Sequence, residues 1–194
     1  SGTYSGDLVT LAKAASAQGD NSDILYSTSS HEDVGASGAW GLSNLIDGDT
    51  DDDADGMFWS HYSHDGTSTY QTSGTAESNE SQVVAIDLTA VRYVETFTII
   101  TRTSGYTENY LGDGEGAEIW VSNAADCLSN PPGSSGTNNP AGNSGYTFTG
   151  TRITTAGSPG ALTLNRNARC LAIYNYSGEK TMAIIELDVT GHLG

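Results

Sequence analysis

Six aspartates fall within the nine residues Asp47–Asp55, in the run Asp47-Gly48-Asp49-Thr50-Asp51-Asp52-Asp53-Ala54-Asp55-Gly56. Carboxylates this close repel one another unless a cation or full hydration separates them. Hard cations such as calcium take about six to eight oxygen ligands from carboxylates, backbone carbonyls and water. Gly48 and Gly56 would let the chain turn its carbonyls inward. Calcium is therefore the first chemistry the residues suggest, with a solvated acidic loop as the alternative. The Asp51-x-Asp53-x-Asp55-Gly56 spacing matches the start of a helix-flanked calcium loop, but position twelve from Asp51 is Tyr62, where such a loop needs a bidentate Glu. That loop type is excluded.

The elements that must hold these aspartates read as strands. Runs rich in β-branched and aromatic residues occur at Val83–Leu88, Val94–Thr101, Glu118–Ser122, Tyr146–Thr149, Ala161–Leu164, Cys170–Tyr176 and Met182–Val189, separated by Gly, Ser, Thr, Asn and Asp. Their spacing predicts an all-β fold with two packed antiparallel sheets. Asp7–Ala17 has the composition of a short helix. Gly19–Trp40 and Ser129–Gly145 read as long polar surface excursions, of the kind that carry binding function on a rigid sandwich. Residues 1–194 show no domain boundary and have length for one domain with an ample core.

Charge narrows the partners. With 24 acidic against 7 basic residues the net charge is −17, which repels phosphate backbones and anionic lipid surfaces. Neither nucleic acid nor an anionic membrane is an expected partner. Cys127 and Cys170 are the only cysteines, and no CxxC or Cys/His cluster suggests zinc or redox chemistry. A structural disulfide is their simplest use, two unrelated buried thiols the alternative. The chain has no apolar run long enough to cross a bilayer and no signal-peptide pattern at Ser1, and reads as a mature or excised module. It contains no nucleophile elbow and no His-x-x-x-His metal motif, so no enzyme activity is expected.

Four blocks follow one another in order: Asn44-Leu45-Ile46-Asp47-Gly48-Asp49, Phe58-Trp59-Ser60-His61, Val84-Ala85-Ile86-Asp87-Leu88 and Ile184-Ile185-Glu186-Leu187-Asp188-Val189-Thr190-Gly191. Together they resemble the discoidin, or galactose-binding-like, jelly-roll superfamily over most of Asp7–Gly191. Within it, Phe97-Thr98-Ile99-Ile100-Thr101-Arg102 and Gly116-Ala117-Glu118-Ile119 resemble segments of the fucose-binding F-type lectins, which also place a disulfide where Cys127 and Cys170 stand. The adjacent Cys pair and second Arg of those lectins have no counterpart in Thr103–Glu115.

The resemblance implies a jelly-roll β-sandwich and a calcium ion between the Asp-Gly turn and the last strand. Its implied ligands are the carbonyls of Asn44, Met57 and Ile185 and the carboxylates of Asp47, Asp49 and Glu186. A carboxylate in the otherwise apolar Met182–Leu187 run is costly to bury without a cation. Asp51, Asp52, Asp53 and Asp55 exceed what one ion needs.

A sugar site requires planar donors for vicinal hydroxyls, an imidazole or amide for another, and an aromatic face. Arg102 ends an apolar strand at a loop and takes the first role. His61 or His64 would take the second, with Trp59 beside them. Tyr106, Asn109 and Tyr110 stand where the missing second Arg would be. The expectation is a calcium-stabilised lectin-like module, extracellular and part of a larger multidomain protein, recognising glycans that end in a hexose or deoxyhexose such as fucose or galactose. The competing expectation is a structural or protein-adhesion module that binds no sugar.

Overall fold

A computed structural model describes residues 5–27, 41–51, 58–59, 82–101, 117–129, 145–154, 157–175 and 183–194. The strands are β1 (Ser5–Asp7), β2 (Leu25–Ser27), β3 (Phe58–Trp59), β4 (Gln82–Thr101), β5 (Ala117–Ser122), β6 (Tyr146–Ile153), β7 (Gly160–Asn175) and β8 (Ala183–Leu193), with one α-helix, α1 (Leu8–Ala15). All strand pairings among the described residues are antiparallel. Their order is β1-β8-β4-β7-β5-β6, with β2 also on β4 and β3 also on β8.

The eight strands join in one sheet, in which β4 and β7 are the longest. Val83–Leu88 and Val94–Thr101, expected as separate strands, are the two ends of β4, and Ala161–Leu164 and Cys170–Asn175 are the two ends of β7. The pairing of β4 with β7 shifts register between Asp87 and Arg92. Thr89, at φ 65°, takes a left-handed conformation there, and Asn165, at φ 46°, does so on β7. Asp87 supports the β4 bend by accepting the Thr89 N–H at 2.7 Å. Its carboxylate also receives Arg169 Nε and Nη2 at 2.9 and 3.0 Å, so the buried charge is paired. The apolar residues of both halves, Val84, Ile86 and Leu88 from one and Val94, Phe97 and Ile99 from the other, meet in one core with Ile119, Leu171, Ile184 and Leu187.

A second apolar cluster lies on the face of β4 and β7 opposite Val84, Ile86, Leu171 and Ile173. Val83, Ala85, Ala172, Tyr174 and Tyr146 pack there with Cys127 and Cys170, which form a disulfide across 43 residues of sequence. Closing a loop of that length contributes about 4 kcal/mol through the unfolded chain. The Tyr146 hydroxyl donates to the Cys127 carbonyl at 2.9 Å, a second tie at the same point. Residues 130–144 of the expected Ser129–Gly145 excursion lie outside the described residues.

The helix forms where Asp7 caps it, accepting the N–H groups of Val9 and Thr10 at 2.8 and 3.1 Å. It buries Leu8, Val9 and Ala12 against the core, consistent with the expected helix over Asp7–Ala17 but shorter. Gly19–Trp40 is not wholly a polar excursion: Ser22–Ile24 forms a 3-10 turn, and β2 follows it with Ile24 and Leu25 buried. The apolar pair was too short a signal to stand out in a polar segment. Among the described residues no helix is long and apolar enough to cross a membrane.

Candidate functional site

The acidic run begins at the end of a buried 3-10 turn. Leu42–Ile46 forms that turn, with Asn44, Leu45 and Ile46 buried, and Asp47 closes it. Gly48 then takes φ 87°, a left-handed conformation with open space around it, which glycine adopts without strain. Asp47 Oδ1 accepts the Asp49 N–H at 2.8 Å, and Asp49 Oδ1 accepts the Asp51 N–H at 2.9 Å. The backbone thus folds into two successive Asx turns. Asp52, Asp53, Asp55 and Met57 lie outside the described residues.

The last strand meets this turn through Glu186. It is only 8% exposed, and its Oε2 accepts the Gly48 N–H at 3.2 Å. Burial pushes the Glu186 carboxyl up to about 8; the Gly48 N–H opposes the rise, the Asp47 charge adds to it, Lys13 opposes it, and a hydrogen bond with the Asp47 side chain adds again. Two carboxyl groups therefore lie side by side, Glu186 buried and Asp47 exposed. Ile185, the neighbouring residue on β8, is buried beside them.

The donors at this corner are oxygens, as a hard cation prefers, and a cation would supply the charge that Glu186 lacks. Asp47, Glu186 and the backbones of Asn44 and Ile185 are the residues that would hold it. Among the described residues, the one group of three His, Cys, Asp or Glu side chains with ligand atoms within 4.8 Å of one another is Asp87, Cys127 and Cys170. That group is already satisfied by the disulfide and the Arg169 ion pair. Asp47, Asp49 and Glu186, the expected carboxylate ligands, form no such close trio among the described residues, and Asp49 Oδ1 is bonded along the run to Asp51.

Register brings Phe58–Trp59 and Thr101 to the same stretch of β8. β3 pairs with β8 through Phe58↔Ile184 and Trp59↔Ala183. The end of β4 pairs with the same stretch of β8 through Thr101↔Ile184. Ile184 therefore lies between the strand that carries Trp59 and the strand that ends one residue before Arg102. Thr101 is buried, and its N–H donates to Ser158 Oγ at 3.0 Å, which fixes the point where the chain leaves the strand. Arg102, His61, His64, Tyr106, Asn109 and Tyr110 lie outside the described residues, and for Trp59 the description covers its backbone alone.

One residue of the acidic corner, Lys13, carried no sequence signal. Lys13, on α1, donates from Nζ to the Ile46 carbonyl at 2.7 Å, although it lies 33 residues away in an unremarkable helical stretch. Glu118, within the lectin-like segment, is committed to structure: Arg152 Nη2 reaches its Oε1 at 2.6 Å and Trp120 Nε1 its Oε2 at 3.0 Å.

No protein-family model matches the chain, and no curated protein matches it. Solved structures do. A fucolectin from striped bass (Morone saxatilis) serum superposes with TM-score 0.60 at 17% identity, covering 99% of this chain and 50% of that one. The chain therefore spans about half the length of that protein. A Clostridium perfringens module solved with GalNAc-β-1,3-galactose gives TM-score 0.52 at 17% identity, covering 85% of this chain and 92% of that one. A Streptococcus pneumoniae fucose-binding module gives 0.54 at 11%, covering 85% and 90%. At these identities the likeness is one of architecture: the chain has the galactose-binding-like jelly-roll fold shared by the fucolectin and these carbohydrate-binding modules.

Proposed function

We propose that this chain is a non-catalytic glycan-binding module, stabilised by calcium at the Asp47/Glu186 corner. The observation that supports it most is the convergence at Ile184. β3 and the end of β4 flank this one residue of β8, two positions before the buried Glu186. An ion at that corner would stiffen the bases of the segments that hold Trp59, His61 and His64 on one side and Arg102, Tyr106, Asn109 and Tyr110 on the other. In this reading Arg102 donates to vicinal sugar hydroxyls, a histidine takes a third, and an aromatic ring packs on the apolar face.

Calcium supplies positive charge and oxygen coordination and takes part in no bond making. The protein residues do the rest: Gly48 and Asp47 hold the turn against Glu186, and the paired strands set the spacing of the loops. The sugars bound by the similar structures, fucose and GalNAc-β-1,3-galactose, make terminal fucose and galactose-type sugars the first ligands to try. The disulfide supports an oxidising, extracellular setting, and a net charge of −17 argues against nucleic acid and anionic membranes. Placement within a larger protein belongs to the same reading.

A glycan array probed in calcium and in chelator tests the proposal. Binding to fucose- or galactose-terminated glycans that weakens in chelator is the expected result. Absence of binding to every glycan in calcium would leave a structural or adhesion module instead.

A further inference from the structure

Lys13 places a fixed positive charge at the acidic corner. It stands in the last turn of α1, a helix fastened to the core by Leu8, Val9 and Ala12 and capped by Asp7. Its ammonium donates to the carbonyl of Ile46 at 2.7 Å in a partly buried setting. Ile46 is the last residue of the 3-10 turn, directly before Asp47. The lysine charge also favours the ionised form of Glu186, against the effect of Asp47. The helix, the turn and the last strand thus meet around two carboxyl groups and one ammonium.

We propose that Lys13 is the resident counter-cation of this corner: it offsets the Asp47 and Glu186 charge before calcium binds, and its charge limits how tightly calcium binds. The proposal rests on the calcium reading above. Its physical basis is that an ammonium hydrogen-bonded to Ile46 and carried on a docked helix stays near the corner when a second cation enters. The two cations then repel across a partly buried corner, where charges act more strongly than in bulk water. In the ion-free fold the same charge offsets the Asp47 carboxylate and favours ionisation of Glu186. Lys13 therefore holds the turn close to its ion-binding form at the cost of affinity.

The test is calcium titration by calorimetry, with melting temperatures in chelator and in saturating calcium, on the parent protein, Lys13→Gln and Lys13→Arg. Lys13→Gln removes the charge and keeps a hydrogen-bond donor. It should melt lower than the parent in chelator and bind calcium about tenfold more tightly, so that its melting temperature rises further on adding calcium. Lys13→Arg should keep the parent affinity. A Lys13→Gln protein that melts lower with calcium affinity unchanged or weaker overturns the proposal and makes Lys13 a strut between α1 and the turn. If the glutamine variant does not fold, Lys13→Met joined to a stabilising calcium load is titrated by competition with a chelating dye, with the same two outcomes. A parent protein that takes up no calcium overturns the calcium reading and this proposal together, an outcome separate from the first.

Discussion

The backbone N–H of Gly48 donates to the carboxylate of Glu186 at 3.2 Å, joining a turn and a strand 138 residues apart in sequence. The contact exists only in the folded chain. Whatever the corner binds is therefore linked to folding, because an unfolded chain leaves Asp47 and Glu186 far apart.

Calcium should raise the melting temperature by mass action. At a hundredfold excess over Kd the gain is about 2.7 kcal/mol, roughly 5–10 °C for a chain of this size. Glu186→Gln keeps the shape and removes the charge, and should lose most of that shift in differential scanning calorimetry. A shift as large in the variant as in the parent would exclude Glu186 as a ligand.

The pH dependence follows from the direction of the Glu186 shift. Its carboxyl titrates at about 8 in the fold and in the ordinary carboxylate range in the unfolded chain. Between those limits the folded state keeps a proton that the unfolded chain has lost, so stability falls as pH rises. The contribution is fully present below the ordinary carboxylate range and lost once pH passes about 8. In chelator the melting temperature should decline across this window, and Glu186→Gln should flatten the decline. In calcium the trend should weaken, because the ion requires the ionised group. A parent protein whose melting temperature in chelator does not change with pH would contradict the burial of Glu186.

Gly191 is the residue of the closing strand with least tolerance. A Cβ there would lie 2.0 Å from the Tyr93 carbonyl oxygen and 3.1 Å from the Glu95 nitrogen. The close approach arises where β4 shifts register between Val94 and Thr96 against β8. Gly191→Ala forces backbone apart and should cost about 3 kcal/mol or more. Gly48→Ala, strained in φ but with nothing within 4 Å, should cost about 1 kcal/mol. Equal urea midpoints for the two variants would refute the close packing of β8 on β4.

Glycan binding should depend on Arg102. Hydrogen bonds from a charged donor contribute about 1.5–3 kcal/mol, so Arg102→Ala should weaken binding about tenfold to a hundredfold, and His61→Ala or His64→Ala should come second. Arg166→Ala, which loses a bond to the Thr149 carbonyl, serves as the control and should bind glycan as the parent does. Unchanged binding in the Arg102 variant on the best array glycan would move the site elsewhere.

Local pattern carried much of this molecule. Alternating and β-branched runs located the cores of β4 to β8, because strand residues show their two faces in adjacent positions. The spacing of Asp47, Gly48 and Asp49 announced the turn, since an Asp side chain bonds the N–H two residues on. Glu186 was legible as a carboxylate isolated in an apolar run. The tertiary structure decided what those patterns could not contain. Continuity of β4 through Thr89 and of β7 through Asn165 depends on left-handed residues that read as breaks in a linear pattern. The Cys127–Cys170 disulfide was expected, as the chain has two cysteines, and is formed; the closeness of Gly191 to Tyr93 and the docking of Lys13 against the Asp47 turn are contacts between distant segments. Residue type alone states what such groups can do. Strand register and helix docking determine which of them meet, because that choice depends on burying the whole core at once.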